Sequence, residues 1–469
     1  MLLFFTLAYL LINVFIGFWA ARRVKNSEDF VLAGRNLSLT VAGTSIFATW
    51  FGSETVMSSS AEFAEGGFLA VIKDPFGAAL CLVLIGLFYA APLYKMHLTT
   101  FSDFFKVRFN QRAEVISAAL MSFSYLSWVA AQLVAMGTIL SVLAMAAGYH
   151  LSIPAGIWIG AILVMLYTMV GGMWAVSMTD FVQTIVIIIG LIVISFILVG
   201  KAGGMGHLLS SQPEGFFDML PKATSSDIMA YMVAWATVGL GSIPSQDVFQ
   251  RTMSARTEKT AVRSVYLAAF LYLTIALFPL LIGLCGKALM PGLLEGNDAD
   301  AKQMLLPLVV LAHSPLIVQI LFFGALISAI MSTTSGAILA PAATITENLV
   351  KPFFPTLTDK QKLLILRISV VLVTLGSIYM ATSGKSIYEL AADSSSFILV
   401  CLFAPLTFGI YAKRSSSTGA LLSMFGGLFV WFLVPADATV DPMFWGAGAS
   451  VLVMVVDGLL QPNRQESKN

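Results

Sequence analysis

The sequence predicts an all-α polytopic membrane protein. Its frame is about thirteen transmembrane helices, built as inverted five-helix repeats with broken helices. Three observations carry this. First, 58% of the 469 residues are hydrophobic and only 11% are charged, where soluble domains carry about 25% charged residues. Second, apolar runs recur along the whole chain, and many can supply the ~20 residues that a spanning helix needs. Third, several runs carry glycine, proline and clustered hydroxyls at what should be mid-membrane. Such irregular backbone is tolerated there only where it lines a cavity or is buried in protein.

In order, the apolar runs fall near 2–21, 37–65, 68–92, 114–147, 153–172, 177–199, 227–249, 262–289, 315–346, 362–383, 388–411, 416–435 and 441–460. The first lacks a basic start and a small-residue cleavage site, so it reads as a retained helix rather than a signal peptide. Apart from Lys73, Lys201, Lys222, Lys287, Lys302 and Lys385, every Lys and Arg falls on one side of this topology. The positive-inside rule then puts the N-terminus outside and the C-terminus in the cytoplasm.

The chain divides into an extra helix with its inner loop (1–36), a first five-helix block (37–200) and an outer loop (201–226). A second block (227–411) and two extra helices with a cytoplasmic tail (412–469) follow. An odd number of helices per block makes the two blocks start on opposite sides, as inverted repeats require. Residues 290–303 form a second outer loop, and the apolar piece Met304–His313 after it is too short to span. It lies along the interface or caps an outer vestibule.

Net charge is +1, so no strong global field points to nucleic acid. Cys81, Cys285 and Cys401 all lie in apolar runs and read as buried thiols. The sequence has no HExxH, its four histidines form no metal-ligand spacing, and Gly384-Lys385-Ser386 lacks the upstream glycine of a P-loop. An enzyme is therefore not expected.

The most informative stretch is Thr44–Ser60, where Thr49, Gly52, Ser53, Glu54 and Thr55 interrupt a spanning run. Gly52 weakens the helix, and the hydroxyls offer the backbone alternative bonds. An ionisable Glu54 at that depth marks a functional site by default. A broken helix here would free carbonyls for a cation; a continuous buried helix with back-bonded hydroxyls is the bland alternative. A second cluster, Ser328–Gly336, puts Ala329, Ser332, Thr333 and Gly336 on one helical face. Its hydroxyls suit a hard cation such as sodium, or a small-residue packing seam. Asp180 opens the sixth span, as a helix-start charge or an ion-path residue. Pro244, in Gly241–Arg251, breaks the seventh. Tyr125, Trp128 and Gln132 share one face of the fourth span by their spacing.

Together these runs resemble the sodium/solute symporter family. The specific matches are Gly171-Gly172-x-x-Ala175-Val176-x-x-Thr179-Asp180-x-x-Gln183, the run Pro244–Arg251, and Ala329-x-x-Ser332-Thr333 paired with Ala48-x-x-Phe51. The resemblance covers nearly the whole chain and implies a LeuT-like fold. It implies a sodium site made by backbone carbonyls of Ala48, Phe51 and Ala329 and the hydroxyls of Ser332 and Thr333. Some members hold a second sodium with an acid matching Asp180 and hydroxyls matching Ser332, Ser335 and the next residue. Here that last position is Gly336, so Asp180 and Ser335 serve a second sodium or ion exit.

The nearest motif match is to the choline-transporter-like branch, through Ala48-Thr49-Trp50. There the tryptophan belongs to an aromatic cage, and Trp128 matches another cage position. The third cage position is Ser245 here. The expected solute wall is Thr49, Trp50, Glu54, Tyr125, Trp128, Gln132, Ser242 and Ser245. The expected function is sodium-coupled symport of a small polar organic solute by alternating access, in the plasma (cell inner) membrane, with sodium the only cofactor. A transporter-like solute sensor and a proton-coupled carrier are the alternatives. The solute class, choline-like amine, amino acid, carboxylate or vitamin, is left open.

Overall fold

The computed structural model describes residues 27–461 apart from 223, 296–301, 436 and 439, with five isolated residues before them. The predicted first span at 2–21 and the tail beyond Gln461 lie outside the described residues. The described chain is helical; its one β contact is an isolated bridge between Leu37 and Ala255.

The helices that position the site are α1 (Leu39–Trp50), α2 (Ser59–Ala70), α3 (Ile72–Lys95), α4 (Gln111–Ala146) and α5 (Ile153–Lys201). There follow α6 (Ser225–Gly239), α7 (Gln246–Met253), α8 (Glu258–Leu289), α9 (Leu305–His313) and α10 (Leu316–Val350). The last four are α11 (Asp359–Ala381), α12 (Ile387–Tyr411), α13 (Ser417–Leu433) and α14 (Pro442–Leu460). Each of the other twelve predicted runs falls on one of these helices or on a pair of them. Eight helical runs among the described residues are individually long and apolar enough to cross a membrane. The exact number of spans is thus not established.

Polar N-caps start the helices where the apolar runs begin. Asn110 accepts from the Ala113 amide (2.9 Å), and Ser386 with Glu389 forms a reciprocal capping box. Each cap satisfies orphan amides that lipid would leave bare. Large apolar side chains such as Phe196, Phe432 and Leu459 stay more than 70% exposed, which is the surface a bilayer covers.

Two spans are broken as the sequence predicts. Between α1 and α2, Phe51 leaves the helical region (φ −76°, ψ 78°) and the Gly52 amide turns back to the Trp50 carbonyl (2.8 Å). A π-turn, Glu54–Ser58, restarts the helix; π-turns frequently sit at functional sites. Between α6 and α7 the chain makes a turn through residues 240–244, with Pro244 preceding the restart at Gln246. The Met304–His313 piece forms a short helix packed on α8. Leu305, Leu306, Val309 and Val310 are buried, and the small Gly286 of α8 lets Leu305 and Val309 approach. The two spans predicted at 153–172 and 177–199 are two helical segments, together α5, separated by a break at Gly172 (φ 59°, ψ −174°).

Candidate functional site

Ser45 on α1, Asp180 on α5, Arg251 on α7 and Ser332 on α10 meet in one buried layer. The Ser332 hydroxyl donates to Asp180 Oδ1 (2.5 Å) and the Ser45 hydroxyl donates to Oδ2 (2.5 Å). Arg251 Nη2 lies 3.6 Å from Oδ2, and its Nε donates to Ser45 Oγ (3.1 Å). Both charged side chains are fully buried. Isolated, either charge would be very costly here; paired and hydrogen-bonded, they balance. Asp180 is thus not a helix-start charge facing solvent.

Beside this layer Thr333 Oγ1 donates to the Ala48 carbonyl (2.8 Å). This bond spans 285 residues of sequence and joins the first broken helix to α10. Thr333 Oγ1 also packs 3.3 Å from where a Cβ on Gly52 would lie. The break at Phe51–Gly52 therefore frees the Ala48 carbonyl and brings it, the Gly52 backbone and the Thr333 hydroxyl into one place. Such oxygens, neutral and within reach of each other, are the donor set a hard monovalent cation takes.

Asp180 and Ser335, named together for a second sodium or ion exit, make no direct hydrogen-bond contact. Ser335 Oγ accepts instead from Thr168 Oγ1 (2.9 Å). At the next position a Cβ on Gly336 would lie 2.5 Å from Arg251 Nη2. The guanidinium occupies the ground that a hydroxyl-bearing residue would need.

Next to the layer a small cavity of about 40 Å³ lies between the two broken helices and α4 and α12. Trp50, Glu54, Tyr125, Trp128, Ser242 and Ser245, all expected from sequence, line it. Two expected residues do not. Thr49 is buried and spends its hydroxyl on the Ser45 carbonyl of its own helix (2.7 Å). Gln132 is fully buried beside Gly52, outside the cavity lining. The helical spacing that grouped it with Tyr125 and Trp128 is correct, but Gln132 lies a full turn further along, level with the break.

Sequence reasoning missed Asp74, Tyr272, Ser394 and Ser395, which also line the cavity. Tyr272 donates to Asp74 Oδ1 (2.6 Å), Ser59 donates to Oδ2 (2.9 Å), and Tyr272 and Thr55 share a short hydrogen bond. An aspartate six residues into the 68–92 apolar run was the available signal.

With this geometry in view, the comparisons are decisive. The sequence profile described as the sodium:solute symporter family matches residues 30–427. The chain belongs to the sodium:solute symporter family. It is a sodium-coupled secondary transporter of a small solute, and its relatives are transporters rather than enzymes. Among them is the human high affinity choline transporter 1, 29% identical over 437 residues, covering 90% of this chain and 74% of that protein. The sodium/proline symporter of Escherichia coli is 27% identical, covering 90% and 86%. Among solved structures, a Na+-coupled sialic acid symporter in a substrate-bound outward-open state superposes with a TM-score of 0.81. It is 21% identical and the match covers 100% of this chain and 99% of that one, so it supports the fold: LeuT-like, with inverted repeats and broken helices.

Proposed function

We propose that this symporter couples one sodium ion to each solute, in the inward direction, with the ion held by the carbonyls of Ala48, Phe51 and Ala329 and the hydroxyls of Ser332 and Thr333. The Thr333-to-Ala48 bond carries this reading, because it joins the broken helix to α10 through two of the five oxygens named. Sodium arriving there would replace that bond by two ion–oxygen contacts and hold the helices together. The Gly52 break would then be fixed, and with it Trp50 and Glu54 in the solute cavity. By linkage, each ligand tightens the other by the same factor.

The second cation position is filled from within. Arg251 balances Asp180 and crowds Gly336, so Asp180 orients Ser332 and guards the inner path of the ion. The solute sits among Trp50, Glu54, Trp128, Ser242 and Ser245. The protein lies in the plasma membrane with its N-terminus outside and its C-terminus in the cytoplasm, the orientation that the loop charges favour. Proton coupling is the second reading, favoured by one observation: Glu54 and Asp74, two carboxyls, share one cavity.

Radiosodium binding to the purified full chain tests the coupling. Saturable binding of one ion per chain, weakened about tenfold or more in Ser332→Ala and Thr333→Ala and retained in Ser335→Ala, is expected. Binding indifferent to Ser332 and Thr333 would contradict the site, and binding of two ions would contradict the role given to Arg251.

A further inference from the structure

We infer that the solute is a small organic cation with N–H donors at its charged end and a hydrogen-bond acceptor at the other, its charged end seated on Glu54. This rests on the proposed use of the cavity as the solute site.

The charge pattern comes first. Three acids, Glu54, Asp74 and Asp247, line the cavity, and no Lys, Arg or His is among the lining residues. Two of the three are already served. Asp74 takes the Tyr272 and Ser59 hydroxyls. Asp247 takes the Tyr125 hydroxyl (2.8 Å) and the Val248 amide (2.8 Å). Glu54 differs: it is only 7% exposed, and its Oε1 is buried with no hydrogen-bond partner. A buried carboxylate oxygen needs a donor. The protein supplies none, and the cavity in front of it is where a ligand would.

The opposite need stands on another wall. Trp128 is equally buried, and its Nε1, a donor only, has no acceptor. A ligand that completes both walls carries N–H on a cationic end and an oxygen acceptor on the other. The Trp50 indole, also in the lining, gives an apolar and cation-attracting surface for the carbon frame.

A quaternary ammonium fits this cavity less well. Its charge is attracted by the acids, but it has no N–H, so Glu54 Oε1 would stay unpartnered after binding. An aromatic cage suits such a ligand, and here one cage wall is the serine Ser245. A site built to hydrogen-bond an N–H rejects the analogue lacking it strongly. The preference expected here is at least about tenfold for a primary amine or guanidinium over its N-trimethylated counterpart.

The test uses the purified full-length protein and its thermal stabilisation in sodium and in potassium. The probes are primary amino alcohols and guanidino compounds, their N-trimethylated counterparts, and neutral alcohols and carboxylates of matched size. Stabilisation by the N–H cations at concentrations at least about tenfold lower than the trimethylated ones is expected. Glu54→Gln should abolish that preference while keeping stabilisation by sodium alone, which shows that the variant is folded. Trp128→Phe keeps the ring and loses the donor; it should weaken amino alcohols and leave plain alkylamines unchanged.

Equal or tighter binding of the trimethylated probes would overturn the inference. So would binding of the neutral or carboxylate probes in preference to the cations, or stabilisation by none of the panel. A sodium-dependent response to carboxylates would overturn the cation while sparing the symporter reading. An N–H-selective response of equal strength in both salts would do the reverse.

Discussion

The ion layer and the solute cavity lie a few residues apart on the same broken helix, yet they are built on opposite terms. In the ion layer the opposite charges of Asp180 and Arg251 lie 3.6 Å apart and Asp180 takes the Ser45 and Ser332 hydroxyls, although Arg251 Nη2 itself makes no hydrogen bond; Thr333 holds the Ala48 carbonyl. In the cavity Glu54 Oε1 and Trp128 Nε1 have no partner. The first region can exchange internal bonds for ion contacts with little change in charge balance. The second is incomplete without a ligand. A coupled transporter needs this asymmetry: a site that releases its ion readily beside one that discriminates among solutes.

The largest effect is expected at Arg251. Arg251→Met leaves Asp180 buried without its counter-charge and should lower folding stability by about 3–5 kcal/mol. Adding Asp180→Asn should restore most of it, measured by thermal unfolding of both variants. If the double variant is as unstable as the single one, the layer is not internally balanced.

A smaller loss is expected at the ion oxygens. Thr333→Ala or Ser332→Ala should weaken sodium binding by roughly 1.5–3 kcal/mol, the worth of a hydrogen-bond-scale contact to a charge. That is about ten- to a hundredfold in affinity by radiosodium titration. Gly336→Ser sharpens the contrast next. It restores a hydroxyl at the position where some relatives bind a second sodium, but its Cβ would start 2.5 Å from Arg251 Nη2. Overpacking should cost about 1–3 kcal/mol of stability, and displacement of the guanidinium should turn a hyperbolic sodium dependence sigmoidal. An unchanged curve would mean that Arg251 does not fill that position.

The smallest effect belongs to Thr49→Ala. Its hydroxyl only returns to the Ser45 carbonyl, so stability should change by less than about 1 kcal/mol and solute affinity should be unaffected. A large loss of solute affinity would bring Thr49 back into the cavity.

Much of this was legible in the sequence. Spanning runs announce themselves because lipid tolerates little else, and the break at Gly52 was marked by glycine and hydroxyls where an apolar helix should be. Ala48, Ser332 and Thr333 could be paired because their motif is specific. Other features were not legible, for identifiable reasons. Asp74 and Tyr272 sit on separate helices, and only the tertiary fold brings them to Glu54. Arg251 reads from sequence as an inner-loop cation; the turn at 240–244 carries it inward to a fully buried partner. Thr49 and Gln132 lie outside the cavity lining, because residue type marks them as polar without showing which way each side chain turns.

The central claim is that sodium ties the first broken helix to α10. Hydrogen exchange of the full-length protein in sodium and in potassium, with no solute added, tests it most directly. Sodium should slow exchange at the amides around Ala48–Glu54 and Ala329–Gly336, and Thr333→Ala should erase the difference. Equal exchange of both segments in the two salts would contradict the account.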